Sequence, residues 1–511
     1  MANDKDKEGV NPAPISKKVT NQNGCKEDTL NLSKNRCGVK VIPSKKDNFS
    51  EWYTAVVLKS ELADYAPVRG CMVIRPYGYK LWELMQSLLD KKFKDTGHQN
   101  AYFPLFIPES FLKKEAEHVK GFSPQVAWVT RGGEEDLAER LAIRPTSEAI
   151  ICSMYAKWVK SYRDLPVLIN QWCNIVRWEK TTRLFLRTVE FLWQEGHTLH
   201  RTPQEADEEA TKMLNVYVDF VQNEMAIPIL WGRKPESEKF PGALHTYTTE
   251  ALMPDGQALQ AGTSHNLGQF FSKAFDIKYL DDDNTEKYPW GTSWGCTTRL
   301  IGALIMTHGD DKGLRLPPRI APIQAVIVPI LFGKDDEKVI AKAKEIYAST
   351  SKDYRVYLDD RLEYTPGWKF NDWEMRGVPL RIEIGPKDIQ KEQVVFVPRD
   401  GSGKRFIKES ELNDETNKIL KDIQKNLFDS AKKFLLNNIS EAKNIEEFNK
   451  KLQEKPGFIK ILWCGSQECE NELIDKTKTT PRCIPLDEKG NGKCIVCGKE
   501  TETIIYYARA Y

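Results

Sequence analysis

Two short runs of this 511-residue chain hold residue types that could do chemistry together. The first spans residues 171–179 (QWCNIVRWE) and the second spans 187–197 (RTVEFLWQEGH). Both read as strands joined by a short polar loop, a long-looped hairpin. Period-two alternation puts Arg187, Val189, Phe191, Trp193, Glu195 and His197 on one face of the second strand. A core-facing row rarely holds Arg, Glu and His, and a solvent-facing row rarely holds Phe and Trp. A platform that grips a ligand accounts for both halves of the pattern. A second group lies near the C-terminus: Cys464 and Cys469, then Cys494 and Cys497, have the two-knuckle spacing of a tetrahedral four-cysteine zinc site. With all four positions filled by protein, that metal would be structural. Cys483, between the knuckles, reads as a buried thiol.

The elements that must carry these groups divide into about three or four folded units, too many residues for one core. Residues 1–46 contain no aromatic side chain and ten Lys/Arg against five Asp/Glu, the composition of a disordered basic tail. From Asp47 to residue 321 strands at 102–107, 167–177, 187–195 and 245–249 are interspersed unevenly with helices. That texture predicts an α+β domain built on a largely antiparallel sheet, not a doubly wound nucleotide fold. Residues 322–425 alternate strand and helix as a small α/β unit. A long polar helical stretch from about 410 to 452 leads into the last part of a C-terminal unit, 426–511, which holds five of the eleven cysteines.

Charge and hydropathy narrow the classes further. With 75 basic and 73 acidic residues the formal charge is +2, so any RNA contact must be a local patch rather than a global field. No stretch approaches the ~20 apolar residues of a membrane span. The first ten residues have no apolar core of a signal peptide, and Cys71, Cys152, Cys173 and Cys296 are scattered singly, which points to a reducing cytosol.

Arg177 and Glu179 followed by Phe191 resemble the second signature of class II aminoacyl-tRNA synthetases. Residues 291–302 (GTSWGCTTRLIG) resemble the third, and a helix at 79–92 followed by 101–108 (AYFPLFIP) resembles the first. Residues 144–148 (RPTSE), 193–197 (WQEGH) and 262–265 (GTSH) look like the prolyl-tRNA synthetase family in particular, over nearly all of the chain from about Asp47 to Tyr511. The interval between Phe191 and Gly291 has no room for an editing insertion and a tail domain is present, which resembles the archaeal and eukaryotic type.

That resemblance implies activation of proline with ATP and Mg²⁺ and transfer of the prolyl group to tRNA(Pro) by a cytoplasmic homodimer. It implies catalytic roles for Arg177, Arg187 and Arg299. ATP would be held by Arg177, Glu179, Arg187, Thr188, Phe191, Gln260, Thr263 and Arg299, with the adenine stacked on Phe191 and Arg299 closing its other face. Proline would be held by Phe122, Thr146, Glu148, Arg177, Trp193, Glu195, His197 and His265. Thr146 or Ser147 would also cap the helix that follows. The 322–425 unit resembles the anticodon-binding domain of this subclass, whose aromatics and cations suit splayed bases. A class II synthetase for another amino acid and a non-catalytic paralogue compete with this reading; the presence of Arg177, Glu179, Phe191 and Arg299 speaks against the latter.

Overall fold

The computed structural model describes residues 41–118, 125–333 and 335–511. Its centre is a mostly antiparallel sheet with eleven strands: β1 (Gln99–Asn100), β2 (Val167–Val176), β3 (Glu190–His200), β4 (Ile229–Arg233), β5 (His245–Leu252), β6 (Ala258–Gly268), β7 (Trp290–Thr297), β8 (Ile439–Glu441), β9 (Phe458–Leu462), β10 (Thr480–Pro485) and β11 (Ile504–Ala508). Their spatial order is β8-β9-β11-β10-β4-β5-β6-β7-β3-β2-β1. The β2–β3 hairpin runs from Val167↔Leu199 to Val176↔Glu190, so the long-looped hairpin of the sequence is present. The second strand starts at Glu190, later than the sequence pattern suggested, because Arg183 and Arg187 close a small bridge of their own in the loop.

One face of the sheet is sealed by helices. The helix Pro203–Asp219 starts at Thr202, whose hydroxyl accepts the Glu205 amide while the Glu205 carboxylate accepts the Thr202 amide, and proline occupies its first turn. It buries Ala206, Ala210, Met213, Leu214 and Tyr217 against the sheet. The helix Arg299–His308 follows β7 directly and is buried along nearly its whole length. Trp52, Trp82, Phe93 and Trp294 anchor this core, with the Phe93 and Trp294 rings 4.7 Å apart.

Three expectations from the sequence need correction. Residues 102–105 are not strand; only Phe106–Pro108 is. Side chains take the backbone groups there: the Gln171 amide oxygen accepts the Phe103 N–H at 2.8 Å, and Arg144 donates to the Phe103 carbonyl at 2.8 Å. The long helix at 410–452 is two helices, Leu412–Asn437 and Ile445–Glu454, separated by β8. Asn438 ends the first and the Asn444 side chain caps the second, so two asparagines mark the break. Ser147 occupies the cap position of helix Glu148–Trp158 without a capping bond, for a reason given below.

Residues 325–408 form a separate five-stranded sheet in the order Val356–Leu358, Ala325–Pro329, Leu380–Ile384, Gln393–Pro398 and Arg405–Lys408, with helices Asp336–Thr350 and Pro366–Met375 between strands. The strand–helix alternation expected of this unit is present. Among the described residues no helix is long and apolar enough to cross a membrane.

Gly196 and Trp294 are direct cross-strand partners, and a β-carbon on Gly196 would sit 2.1 Å from the indole. Gly196→Ala must therefore push a buried tryptophan out of place, at a cost of about 1–3 kcal/mol. Calorimetry should show a lowered thermal midpoint; an unchanged midpoint would mean that the ring has room to yield.

Candidate active site

The other face of β3 forms the floor of a cavity of about 380 Å³. Phe191, Trp193, Glu195 and His197 step across it at about 7 Å per pair, as alternate residues of one strand must. Arg177, Glu179, Arg187, Thr188, Gln260, Thr263, His265, Thr146, Glu148 and Arg299 all line the same space. Phe122 lies outside the described residues. Every other residue named from the sequence for ATP or proline lines this one cavity.

At the Phe191 end the cavity is cationic. The Arg177 guanidinium lies 5.6 Å from the Phe191 ring and 5.5 Å from the Trp193 ring, and its Nε donates to the Pro145 carbonyl at 3.0 Å. Arg187 is held by Glu179, with Nε at 2.8 Å and Nη2 at 2.7 Å from one carboxylate oxygen. Arg299 donates from Nε to the Leu186 carbonyl at 3.1 Å. Desolvation lowers the Arg299 pKa most, and the like charges of Arg177 and Arg187 lower it further. Three converging guanidinium groups repel one another, and an anion relieves that repulsion.

At the His197 end the cavity is lined by carboxylates and a neutral imidazole. Glu195 is buried, and one of its oxygens accepts from Gln171 Nε2 at 2.7 Å and Cys173 Sγ at 3.4 Å. Ser147 donates its hydroxyl to that oxygen as well, which is why it does not cap its own helix. The other oxygen meets His197 Nε2 at 3.0 Å. Thr146 donates to the Glu148 carboxylate. His265 pairs through Nδ1 with Thr246 at 3.0 Å and lies 4.8 Å from the Phe240 ring; burial drives its pKa down to about 3, so it stays neutral. A cation with an apolar body fits this end: carboxylate acceptors beside Trp193, His197 and Phe240.

Sequence reasoning missed several of these groups. Phe240 and Pro241 reach the cavity from the loop after β4, where no periodicity marks them. Gln171 and Ser147 act behind Glu195 through contacts between residues distant in sequence. Cys296 also lines the cavity; burial pushes its thiol pKa up, so it stays protonated and is no nucleophile.

A second constellation is separate. The sulfurs of Cys464, Cys469, Cys494 and Cys497 lie within 4.8 Å of one another, with Cys464 at 3.6 Å from Cys469 and 3.7 Å from Cys497. A tetrahedron with Zn–S bonds of about 2.3 Å has edges of about 3.8 Å, so the donor set fits that ion. Cys483 is fully buried outside this set.

Comparison with known proteins agrees with this division. Residues 128–308 match the class II tRNA synthetase core domain of the G, H, P, S and T group, 324–419 the anticodon-binding domain, and 445–511 the prolyl-tRNA synthetase C-terminal domain. The chain is 57% identical over 475 residues to "Proline--tRNA ligase" of Natranaerobius thermophilus, covering 93% of this chain and 98% of the relative. It is 55% identical to "Proline--tRNA ligase 2" of Clostridioides difficile, with 93% and 98% covered. It is 52% identical to "Proline--tRNA ligase 2" of Bacillus cereus, with 93% and 99% covered.

Burial raises the Glu195 pKa, but the hydrogen bond and charge of His197, with Ser147 and Gln171, outweigh it and bring it below 4.5. Burial lowers the His197 pKa, but Glu195 outweighs it and takes it above 6.5. By linkage the Glu195 contribution to stability is present above about 4.5 and lost as pH falls through its folded value. The His197 contribution is present below about 6.5 and lost as pH rises through its folded value. The pair therefore stabilises fully between those limits. In Glu195→Gln burial acts on His197 with its main partner gone, so imidazole NMR should find it titrating above 6.5 in the parent and below 6.5 in the variant. Coincident titrations would show that the pair is not electrostatically coupled.

Proposed function

Because the chain belongs to the prolyl-tRNA synthetase family and is a proline–tRNA ligase built on a class II core, we propose that its cavity is divided into a nucleotide end and a proline end along β3. ATP, proline and tRNA(Pro) are its substrates. The observation that carries the division is the change in character along one strand, from Phe191 among arginines to His197 among carboxylates.

In this reading ATP lies with its adenine between Phe191 and Arg299, its α-phosphate at Arg177, and Arg187 on its outer phosphates. Glu179 and Thr188 bind at the adenine side, with Gln260 and Thr263 on β6. Proline lies with its ring against Trp193 and His197, near His265. Its ammonium faces Thr146, Glu148 and the Glu195 side of the floor, and its carboxylate points back to Arg177. Arg177 spans Phe191 and Trp193, so it stands at the junction where carboxylate and α-phosphorus must meet.

The first step is in-line attack of the proline carboxylate oxygen on the α-phosphorus, with pyrophosphate leaving. A carboxylate is already a nucleophile near neutral pH, so positioning replaces a general base. Arg177, Arg187 and Arg299 face the oxygens on which negative charge accumulates. Mg²⁺ favours phosphate oxygens and water, and when bound would neutralise phosphate charge beside those arginines. In the second step the terminal tRNA hydroxyl attacks the prolyl carbonyl and AMP leaves.

The domain limits that go with this reading are 1–46 for the tail, 47–321 for the catalytic domain, 322–425 for anticodon binding and 426–511 for the C-terminal domain. The four cysteines hold a structural Zn²⁺, and the enzyme is a cytosolic homodimer. The interval between Phe191 and Trp290 is filled by the helix Pro203–Asp219 and strands β4 to β6 of the sheet itself, which supports the insertion-free architecture compared above to the archaeal and eukaryotic type. The similar proteins named above are bacterial, so the likeness to that type concerns architecture and not source.

Proline-dependent ATP–pyrophosphate exchange tests the division. Arg299→Ala should lower exchange by at least about 100-fold with the loss falling on ATP, and Glu148→Gln should raise the proline KM by about 10- to 100-fold, the range of a charge-assisted bond. An Arg299→Ala enzyme with full exchange would reject the nucleotide end. Metal analysis should find about one zinc per chain, and Cys494→Ser should lower that content and the thermal midpoint together. A metal-free protein of parental stability would remove the zinc site.

A further inference from the structure

We propose that Arg482, a residue of the C-terminal domain, is a positioning residue for the nucleotide end of the active site and acts through Glu250. The inference rests on the reading of the cavity given above. Arg482 does not line the cavity, and the strand that carries it, β10, is an extension of the catalytic sheet. Ile484 and Pro485 of β10 pair with Arg233 and Gly232 of β4. A β-carbon on Gly232 would stand 2.1 Å from the Ile484 carbonyl oxygen, so the two backbones meet with no space for a side chain between them.

Behind that joint lies a fully buried carboxylate. Glu250, on β5, accepts from Arg482 Nε at 3.0 Å and Nη2 at 2.8 Å on one oxygen. Its other oxygen meets Lys234 Nζ at 3.1 Å and accepts from the Thr248 hydroxyl at 2.8 Å. Thr248 in turn accepts from Gln260 Nε2 at 3.3 Å, and Gln260 faces the cavity. A chain of four hydrogen bonds thus runs from the C-terminal domain through Glu250 and Thr248 to a side chain assigned to ATP.

Two features make this more than a structural tie. Buried ion pairs are weak devices for stability, since apolar residues of similar volume do as well or better. Here two cations share one carboxylate, which leaves one positive charge buried on the cavity face of the sheet, beside an anion site. Both Glu250 and Arg482 lie close enough to act on the charge of Arg299. Removing Arg482 removes that net charge and frees one Glu250 oxygen to draw Thr248 and Lys234 out of place. The nucleotide should feel the change, while proline, held by Thr146 and Glu148 at the start of a separate helix, should not.

The test is steady-state ATP–pyrophosphate exchange by the full chain, with ATP and proline varied independently. Arg482→Met should raise the ATP KM about tenfold or more and change the proline KM less than twofold. Arg482→Lys, which keeps the charge but not the paired bonds, should recover part of the ATP affinity. Equal changes in both KM values, or no change in either, would overturn the proposal. Should Arg482→Met fail to fold, Arg482→Lys decides: a parental ATP KM in that folded variant would overturn it too. Arg299→Ala run alongside separates the two ideas. Loss of exchange there with a parental ATP KM in Arg482→Met sinks only the role of Arg482, whereas full exchange in Arg299→Ala takes the nucleotide end, and this inference with it.

Discussion

A carboxylate buried in the middle of a sheet must find donors on every side, and Glu195 is the place where this protein meets that demand. Leaving such a charge unpaired costs several kcal/mol. Its donors come from three separate parts of the chain: Ser147 at a helix start, Gln171 and Cys173 on β2, and His197 on β3 itself. Satisfying Glu195 therefore fixes the helix Glu148–Trp158 against the sheet, and with it Thr146 and Glu148 at the cavity. Gln171 uses its remaining oxygen on the Phe103 amide, so the irregular segment before Phe106 is fixed by the same network. The Tyr155 hydroxyl closes the arrangement on the His197 carbonyl at 2.8 Å.

The rest of the cavity follows from putting opposite charges at opposite ends of one strand. Arginines crowd at Phe191 and carboxylates at His197, and the apolar faces of Phe191 and Trp193 stand between them in an edge-to-face contact at 6.2 Å. A substrate with an anion at one end and a cation at the other is aligned by that gradient before any specific contact forms. Alignment is most of what the adenylation step needs, since its nucleophile requires no activation. The C-terminal domain adds to the same gradient from the side, through the sheet it extends.

Period-two alternation made the β2–β3 hairpin and its mixed row legible in the sequence, because a ligand face breaks the usual rule for both core and surface. The cysteine knuckles were legible for a similar reason, as sulfur donors at ligand spacing have few other uses. What escaped was settled by contacts distant in sequence. Nothing near Ser147 says that its hydroxyl prefers Glu195 to its own helix. Residues 102–105 carry strand-forming side chains, yet Arg144 and Gln171 take their backbone groups. The break at Asn438 was hidden by helix-forming residues on both sides, and tertiary pairing of β8 with Phe458–Lys460 overrode that propensity. Arg482 carries no signal in its own sequence neighbourhood, because its partner Glu250 is 232 residues away.

The division of the cavity is tested most directly by a crystal structure of the full chain with a stable prolyl-adenylate analogue in which a sulfamoyl group replaces the phosphate. The account predicts the adenine on Phe191 with Arg299 over its other face, the bridging group at Arg177, and the prolyl ring at Trp193 and His197 with its ammonium within hydrogen-bond reach of Thr146 and Glu148. An analogue lying the other way along β3, or one whose ammonium meets no carboxylate while its adenine leaves Phe191 bare, would contradict it.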